Sequence, residues 1–233
     1  MSEVIKKIKK KYEEGYRDRG LSYQRRFPNE ELCRFFGRNF FALKKKDRKK
    51  IKILETGCGT SGNLKMISEE GFSAFGIDIS KEAIDLSKNL FFKKKLKGNF
   101  QIGDFTLMPY KNNFFNCIVD VFSSCSLDRK NGEIFIKEIG RILKKNGKFF
   151  TYFPSKKSDM FHLKSNKVYD IDTIESFKKS AFPNHPLRFM SIKEYCDLLK
   201  KNSFKIDYKE EIMRTYFSGK EKFYFLIIEA SKK

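Results

Sequence analysis

The sequence predicts an α/β protein built on an open, doubly wound sheet of mostly parallel strands. Between residues 51 and 153, five short apolar runs alternate with segments of helical periodicity, which is the rhythm of strand–helix–strand units. Two further apolar runs, at 204–212 and 223–230, follow each other too closely for a helical crossover. They predict an antiparallel pair at one edge of the sheet. A length of 233 residues suits one hydrophobic core.

Each predicted element has a local signal in the chain. The strands are β-branched or aromatic runs, and the helices follow polar caps or glycine-containing loops. The predicted strands of the alternating part are IKILE (51–55), SAFGID (73–78), NFQIGD (99–104), FFNCIVDVF (114–122) and KFFTYF (148–153). The predicted helices are NLKMISEEG (63–71), KEAIDLSKNLFFKKK (81–95), GEIFIKEIGRILKKNG (132–147) and, before the final pair, SIKEYCDLLKKN (191–202).

Two segments lie outside this alternation. Residues 1–50 are predicted to form an N-terminal helical cap, in which Pro28 to Glu31 begin a helix with an apolar face. Residues 51–233 form the main domain. Within it, residues 155–190 interrupt the rhythm directly after the fifth strand. Loops at that sheet edge collect binding residues, so we expect this insertion to face a substrate.

The composition excludes several classes of protein. The formal charge of +21 comes from 39 lysines and 11 arginines spread along the chain. This favours a solvated basic surface over a nucleic-acid footprint, where arginines would cluster with aromatic residues. No apolar run approaches the length of about 18 residues that spans a membrane, and the start does not resemble a secretory signal. The five cysteines lack paired spacing. We expect a cytoplasmic monomer or homodimer with no metal site.

A glycine loop, LETGCGTSGNL (54–64), follows the first strand. Loops of this kind hold nucleotide-like cofactors, either a dinucleotide such as NAD or S-adenosylmethionine (SAM). Glu55 lies at the mouth of the loop, where a carboxylate repels a pyrophosphate but suits an ammonium and a sulfonium group. Asp78 ends the second strand and suits the ribose of either cofactor. Asp104 and Phe105 end the third strand, where an acid and a flat apolar neighbour suit an adenine.

These segments resemble the class I SAM-dependent methyltransferases. The matching motifs occur in the expected order: LETGCGTSGNL, GIDIS, GDF, FFNCIVDVFSSCSLD and EIGRILKKNGKFF. The flanking YEEGYRDRGLSYQRRFPNEELCRFF and PLRFMSIKEYCDLLKK are similar to the small-molecule branch, near the tellurite-resistance-type enzymes. The resemblance implies a three-layer, seven-stranded sheet with an antiparallel last strand. It covers residues 50–230 apart from the insertion.

The resemblance also implies roles for individual residues. Those expected to bind SAM through its methionine part are Glu55, Gly57, Cys58, Gly59 and Asp120. Asp78 would bind the ribose, and the residues expected around the adenine are Ile79, Asp104 and Phe105. Family members commonly close their N-terminal segment over SAM, which makes Tyr16, Tyr23 and Arg26 candidates. Cys125 and Ser126 occupy positions where many small-molecule members have histidine, which removes one candidate general base.

The acceptor is predicted to be a small molecule. The (N/D)PPY motif of amino-methylating DNA enzymes is replaced by DVFS, and no Pro-Cys nucleophile follows the fourth strand. His185 and Arg188, in the insertion, are the candidates for acceptor binding or catalysis. The alternatives are a methyltransferase of RNA or another polyanion, and a non-catalytic module that binds SAM or nucleic acid.

Overall fold

Ten strands and seven α-helices form the protein in a computed structural model that describes all 233 residues. The strands are β1 (Lys52–Thr56), β2 (Ser73–Asp78), β3 (Gly98–Ile102), β4 (Phe115–Val121), β5 (Leu143–Pro154), β6 (Lys167–Val168), β7 (Thr173–Glu175), β8 (Leu187–Arg188), β9 (Phe204–Tyr216) and β10 (Glu221–Lys232). The helices are α1 (Glu3–Arg19), α2 (Glu30–Asn39), α3 (Lys45–Arg48), α4 (Gly62–Glu69), α5 (Lys81–Lys93), α6 (Arg129–Ile142) and α7 (Ile192–Lys201). No helix combines the length and apolarity needed to cross a membrane.

The central sheet has seven strands in the order β3-β2-β1-β4-β5-β10-β9. The strands from β3 to β5 pair in parallel, whereas β10 is antiparallel to both β5 and β9. The order reverses between β1 and β4, and right-handed crossovers on either side of that point place helices on both faces. The predicted doubly wound, seven-stranded sheet with an antiparallel last strand is confirmed. Its reversal point opens a crevice beyond the ends of β1 and β4.

The first helix packs on the domain with its apolar side. Ser2 accepts a hydrogen bond from the backbone of Ile5 as an N-cap, and the buried residues of α1 are Val4, Ile5, Ile8 and Tyr16. Its polar side contacts the insertion: Lys7 Nζ lies 2.7 Å from a carboxylate oxygen of Glu175, and Lys11 donates to the carbonyl of Asn184. The helix therefore joins the insertion to the rest of the chain.

Two regions differ from the predicted elements. Helix α6 ends at Ile142 rather than near residue 147, because Leu143 is fully buried and pairs with Phe115 of β4. Asn146 then has φ of 60°. This left-handed conformation is incompatible with a continuing α-helix. The insertion is not a bare loop, because β6, β7 and β8 form a small antiparallel sheet.

Aromatic side chains fix the position of α2 on the sheet. Phe35 is fully buried, and its ring centroid lies 5.0 Å from that of Phe150 in β5. Phe36 lies 5.6 Å from Phe72, which follows α4. Because these rings are closely packed, the loss of any one of them would leave a cavity in the core.

Removing the Phe35 ring should therefore destabilise the protein strongly. We expect Phe35→Ala to lower the free energy of unfolding by about 3–5 kcal/mol, the usual cost of deleting a buried aromatic ring. Phe92, which is 84% exposed, is the control, and Phe92→Ala should change stability by less than about 0.5 kcal/mol. Urea denaturation measures both. Similar effects of the two substitutions would contradict the packing described for α2.

Candidate cofactor and acceptor site

A cavity of about 640 Å³ lies at the reversal point of the sheet, within the usual size range of small-molecule sites. The side chains around it fall into two groups. The acidic group is Glu55, Asp78 and Asp104, which lie at or just beyond the ends of three neighbouring strands. The aromatic group is Phe122, Tyr152, Phe182, Tyr216 and Phe225.

The glycine loop bends sharply around the end of β2. Gly57 has φ of 65° and donates its backbone N–H to the carbonyl of Ile77 at 2.8 Å. A Cβ on Gly57 would lie 2.3 Å from Cβ of Ser123, so only glycine fits both the conformation and the space. Gly59 has φ of 49° and donates to Asp78. Gly57 and Cys58 line the cavity as predicted, whereas Gly59 does not: its Cα is covered by Gln24 and Tyr16 of the N-terminal segment.

Glu55 is a buried acid with one oxygen left without a partner. Asn63 Nδ2 donates to its Oε1 at 2.5 Å, whereas Oε2 is buried and makes no hydrogen bond. Burial raises the pKa of Glu55 to about 8, although the Asn63 hydrogen bond and the charge of Arg25 act in the opposite direction. An unpartnered buried oxygen is costly, and a cationic ligand would satisfy it.

Asp78 is held in place by backbone donors. Gly59 N–H donates to one of its oxygens and Ser80 N–H to the other, both at 2.9 Å. Burial raises its pKa to about 6, and these two hydrogen bonds limit the shift. Each carboxylate oxygen retains a free lone pair, so two ribose hydroxyls can still donate to it.

The residues predicted around the adenine also line the cavity. Ile79 and Phe105 face it with apolar surface, and Phe105 Cζ lies 3.2 Å from the position of a Cβ on Gly57. Asp104 receives two hydrogen bonds at 2.8 Å from Thr106, both on Oδ1. Its second oxygen can accept from an amine.

Asp120 was predicted to contact the methionine part of SAM, but its side chain lies elsewhere. It is fully buried and does not line the cavity. It accepts hydrogen bonds from the Ser123 hydroxyl at 2.6 Å, the Ser124 backbone and hydroxyl, and the Thr151 hydroxyl at 2.9 Å. These donors use its acceptor capacity, so Asp120 braces the loop after β4 and makes no direct contact with the cavity. The sequence placed it at a strand end but not among its serine and threonine partners.

The N-terminal segment covers the cavity with two of its three predicted residues. Tyr16 and Tyr23 line it, with ring centroids 5.0 Å apart. Arg26 does not line it, whereas the neighbouring Arg25 does. Nothing in the sequence distinguishes these two arginines, because they lie in a turn without a regular periodicity.

The two candidates in the insertion lie behind the cavity wall. His185 is buried, and its Nε2 lies 3.2 Å from the hydroxyl of Ser126, which does line the cavity. Burial, together with the charge of Lys11, lowers the pKa of His185 to about 3, so its ring is neutral. Arg188 is 1% exposed and its guanidinium lies 5.0 Å from the ring centre of Phe153. Neither side chain reaches an acceptor in the cavity directly.

From the sequence, only Tyr152 can be placed at the site, because it lies near the end of the predicted fifth strand; the rest of the aromatic group was missed. Tyr152 stacks on Phe225 at 4.6 Å, and Phe122 lies 4.7 Å from Phe182. Phe182 comes from the insertion, and Arg214 joins the group from β9. The predicted insertion therefore contributes a ring to the wall. These residues come from five separate segments, and no sequence spacing connects them.

Comparison with known proteins agrees with this architecture. A family model described as a methyltransferase domain matches residues 54–151. The ubiquinone biosynthesis O-methyltransferase of Pelagibacter ubique is 32% identical over 114 residues, which cover 47% of this chain and 45% of that protein. The chain thus spans less than half the length of this relative.

Two solved structures share the fold. A SAM-dependent methyltransferase from Methanosarcina mazei has a TM-score of 0.64 and 24% identity, covering 78% of this chain and 92% of that one. Magnesium protoporphyrin IX methyltransferase from Synechocystis PCC 6803, solved with bound S-adenosylhomocysteine (SAH), has a TM-score of 0.67 and 13% identity. It covers 99% of this chain and 100% of that one.

The fold is one that these two methyltransferase structures share, and residues 54–151 match the model of a methyltransferase domain. At the level of this domain, the predicted enzyme class and the predicted cofactor, SAM, are confirmed. The closer likeness to tellurite-resistance-type enzymes stays a prediction.

The buried acid of this site predicts a pH-dependent stability. Burial raises the folded-state pKa of Glu55 from 4.5 to about 8. The stability that the fold has with Glu55 protonated is therefore fully present below pH 4.5 and is lost as pH rises through 8. Glutamine has no charge to bury. Without cofactor, we expect Glu55→Gln to have a higher Tm than the parent protein at pH 8 and a similar Tm at pH 5. Glu133→Gln, on the exposed side of α6, is the control and should show no such divergence. Parallel Tm curves for Glu55→Gln and the parent would contradict the raised pKa.

Proposed function

We propose that this chain transfers a methyl group from SAM to a small-molecule acceptor held against the aromatic group of the cavity. The observation that carries the proposal is the unpartnered Oε2 of Glu55 beside the glycine turn. A buried carboxylate there is destabilising unless a cation accompanies it. The methionine part of SAM has an ammonium group that meets this requirement.

The remaining parts of SAM have matching residues along the cavity. Arg25 lines the same cavity and its charge acts on Glu55, so it suits the carboxylate of the methionine part. Asp78 suits the two ribose hydroxyls. The group expected at the adenine is Ile79, Asp104 and Phe105. A dinucleotide would bring a pyrophosphate instead of a cation to the glycine turn, so it would leave Oε2 of Glu55 without a cationic partner, which disfavours NAD.

The chain's own residues align the reactants and keep water out. When bound, SAM supplies a methyl group on a positively charged sulfur. Holding an acceptor in line with that group accounts for much of a rate enhancement by proximity alone. Tyr12, Tyr16 and Tyr23 close one side of the cavity. Neutral His185 holds the Ser126 hydroxyl in position, which makes it a positioning residue in this proposal.

A small acceptor suits the enclosure of the cavity. Helix α1, the segment after it and Phe182 of the insertion surround the cavity with apolar surface, unlike an open groove for a nucleic-acid strand. The division into a cap (residues 1–50) and a main domain with a substrate-facing insertion (155–190) belongs to the same proposal. The charge of +21 favours the second candidate, an RNA or other polyanion as acceptor.

Cofactor binding tests the first part of the proposal. We expect SAM and SAH to bind and NAD not to bind in calorimetry with the full chain. Asp78→Ala should weaken SAM binding by about 1–3 kcal/mol, because the ribose hydroxyls lose a charged acceptor. Asp207→Ala, on the exposed part of β9, is the control. NAD binding without SAM binding would overturn the proposed cofactor, and unchanged SAM affinity in Asp78→Ala would overturn the ribose site.

Salt dependence separates the two acceptor classes. If the lysines form only a solvated basic surface, RNA should bind without sequence preference, and its affinity should fall steeply between about 50 and 200 mM salt. Filter binding with labelled RNA measures this. Saturable binding at physiological salt, or methyl incorporation into RNA, would favour the polyanion as acceptor.

A further inference from the structure

Arg214 is an exposed cation at the rim of the cavity. It lines the cavity with Tyr152, Tyr216 and Phe225. Arg214 and Tyr216 are two residues apart in β9, so both side chains project from the same face of the strand. In the ladder with β10, Arg214 lies opposite Phe223 and Ile212 lies opposite Phe225. The strand pairing therefore fixes the arginine at the edge of the aromatic group.

No carboxylate in the protein pairs with this arginine. Arg214 has no acidic oxygen within 4.0 Å and makes no side-chain hydrogen bond, although other cations near the last three strands of the sheet do. Lys148 is bridged to Asp207, Lys157 to Glu211 and Arg38 to Glu229. The five N–H donors of Arg214 are thus free for a ligand.

The charge of Arg214 acts on the two tyrosines of the wall. Burial raises the pKa of Tyr152 and of Tyr216, and in both cases Arg214 is the largest influence in the opposite direction. Arg214 and both tyrosines line the same cavity. A ligand lying on the rings would have its edge near Arg214.

We propose that Arg214 recognises a carboxylate on an acceptor whose flat, apolar body packs against the rings of Phe122, Tyr152, Phe182 and Phe225. This inference rests on the proposed function, because it concerns the acceptor of the same site. The planar guanidinium fork matches a carboxylate with two hydrogen bonds. The proposed function assigns Arg25 to the methionine carboxylate of SAM, which leaves Arg214 as the unpaired arginine of the cavity. One positive charge balances one negative charge, which favours a carboxylate over a phosphate dianion.

Matched ligands test the inference on the full chain saturated with SAH. The probes are 2-naphthylacetate, its uncharged amide 2-naphthylacetamide, and 2-naphthyl phosphate, with dissociation constants measured by calorimetry. We expect the carboxylate to bind at least about tenfold more tightly than the amide, since a charge-assisted hydrogen bond contributes that much or more. In Arg214→Met this preference should disappear while the affinity for the amide is kept. Lys220→Met removes a positive charge from the exposed tip of the same hairpin and should retain the preference.

The outcomes distinguish this inference from the proposed function. Failure of the parent protein to bind SAH would count against the proposed function. Normal SAH binding with equal affinity for carboxylate and amide, or with no carboxylate binding at millimolar concentration, would overturn the role of Arg214 alone. So would a preference that persists in Arg214→Met. Tighter binding of the phosphate through Arg214 would overturn the assignment to a carboxylate. SAH affinity in Arg214→Met also reports that the variant is folded.

Discussion

The burial of Glu55 is the constraint on which the site depends. The strand β1 carries this carboxyl group between β2 and β4, where Glu55 is opposite Gly76 on one side and Val119 on the other. Its burial raises the pKa to about 8 and leaves one oxygen unpartnered, so the isolated fold is less stable at neutral pH than it would be with an uncharged residue. Binding sites keep such unfavourable groups when a ligand relieves them.

The surrounding chain is shaped to preserve this burial. Gly57 and Gly59 let the loop turn without side chains, and a Cβ on Gly59 would lie 1.8 Å from the Gln24 side chain. The N-terminal segment therefore packs directly against the loop. Asp120 fixes the opposite wall through Ser123, Ser124 and Thr151, although it does not face the cavity. The turn of the glycine loop, the N-terminal segment and the wall fixed by Asp120 together exclude water from the carboxyl group of Glu55.

The sequence predicted the parts of the site that follow from strand ends. Glu55 and Asp78 lie at the carboxyl ends of buried parallel strands, and these ends must meet at one edge of the sheet. The alternation of strands and helices was therefore sufficient to bring the two acids together. Arg25 was confused with Arg26 because an irregular turn has no periodicity that shows which side chain points inwards. The aromatic wall could not be predicted because rings such as Phe122 and Phe182, which are far apart in sequence, meet only through the tertiary fold. The early end of α6 was missed because the pairing of Leu143 with β4 overrides helix propensity.

The local arrangement of charge in the cavity carries more information about ligands than the net charge of the protein. A total of +21 would suggest an anionic partner everywhere, yet three acids line the cavity near the glycine loop and Arg214 lies among the rings. Surface lysines act through water and mobile ions, which screen them within about 8–10 Å. The buried acids Glu55 and Asp78 are screened much less, so they have more influence on the choice of cofactor than the surface lysines. One cavity with acids near the loop and an arginine among the rings suits a cationic cofactor and an anionic acceptor, two ligands that also attract each other.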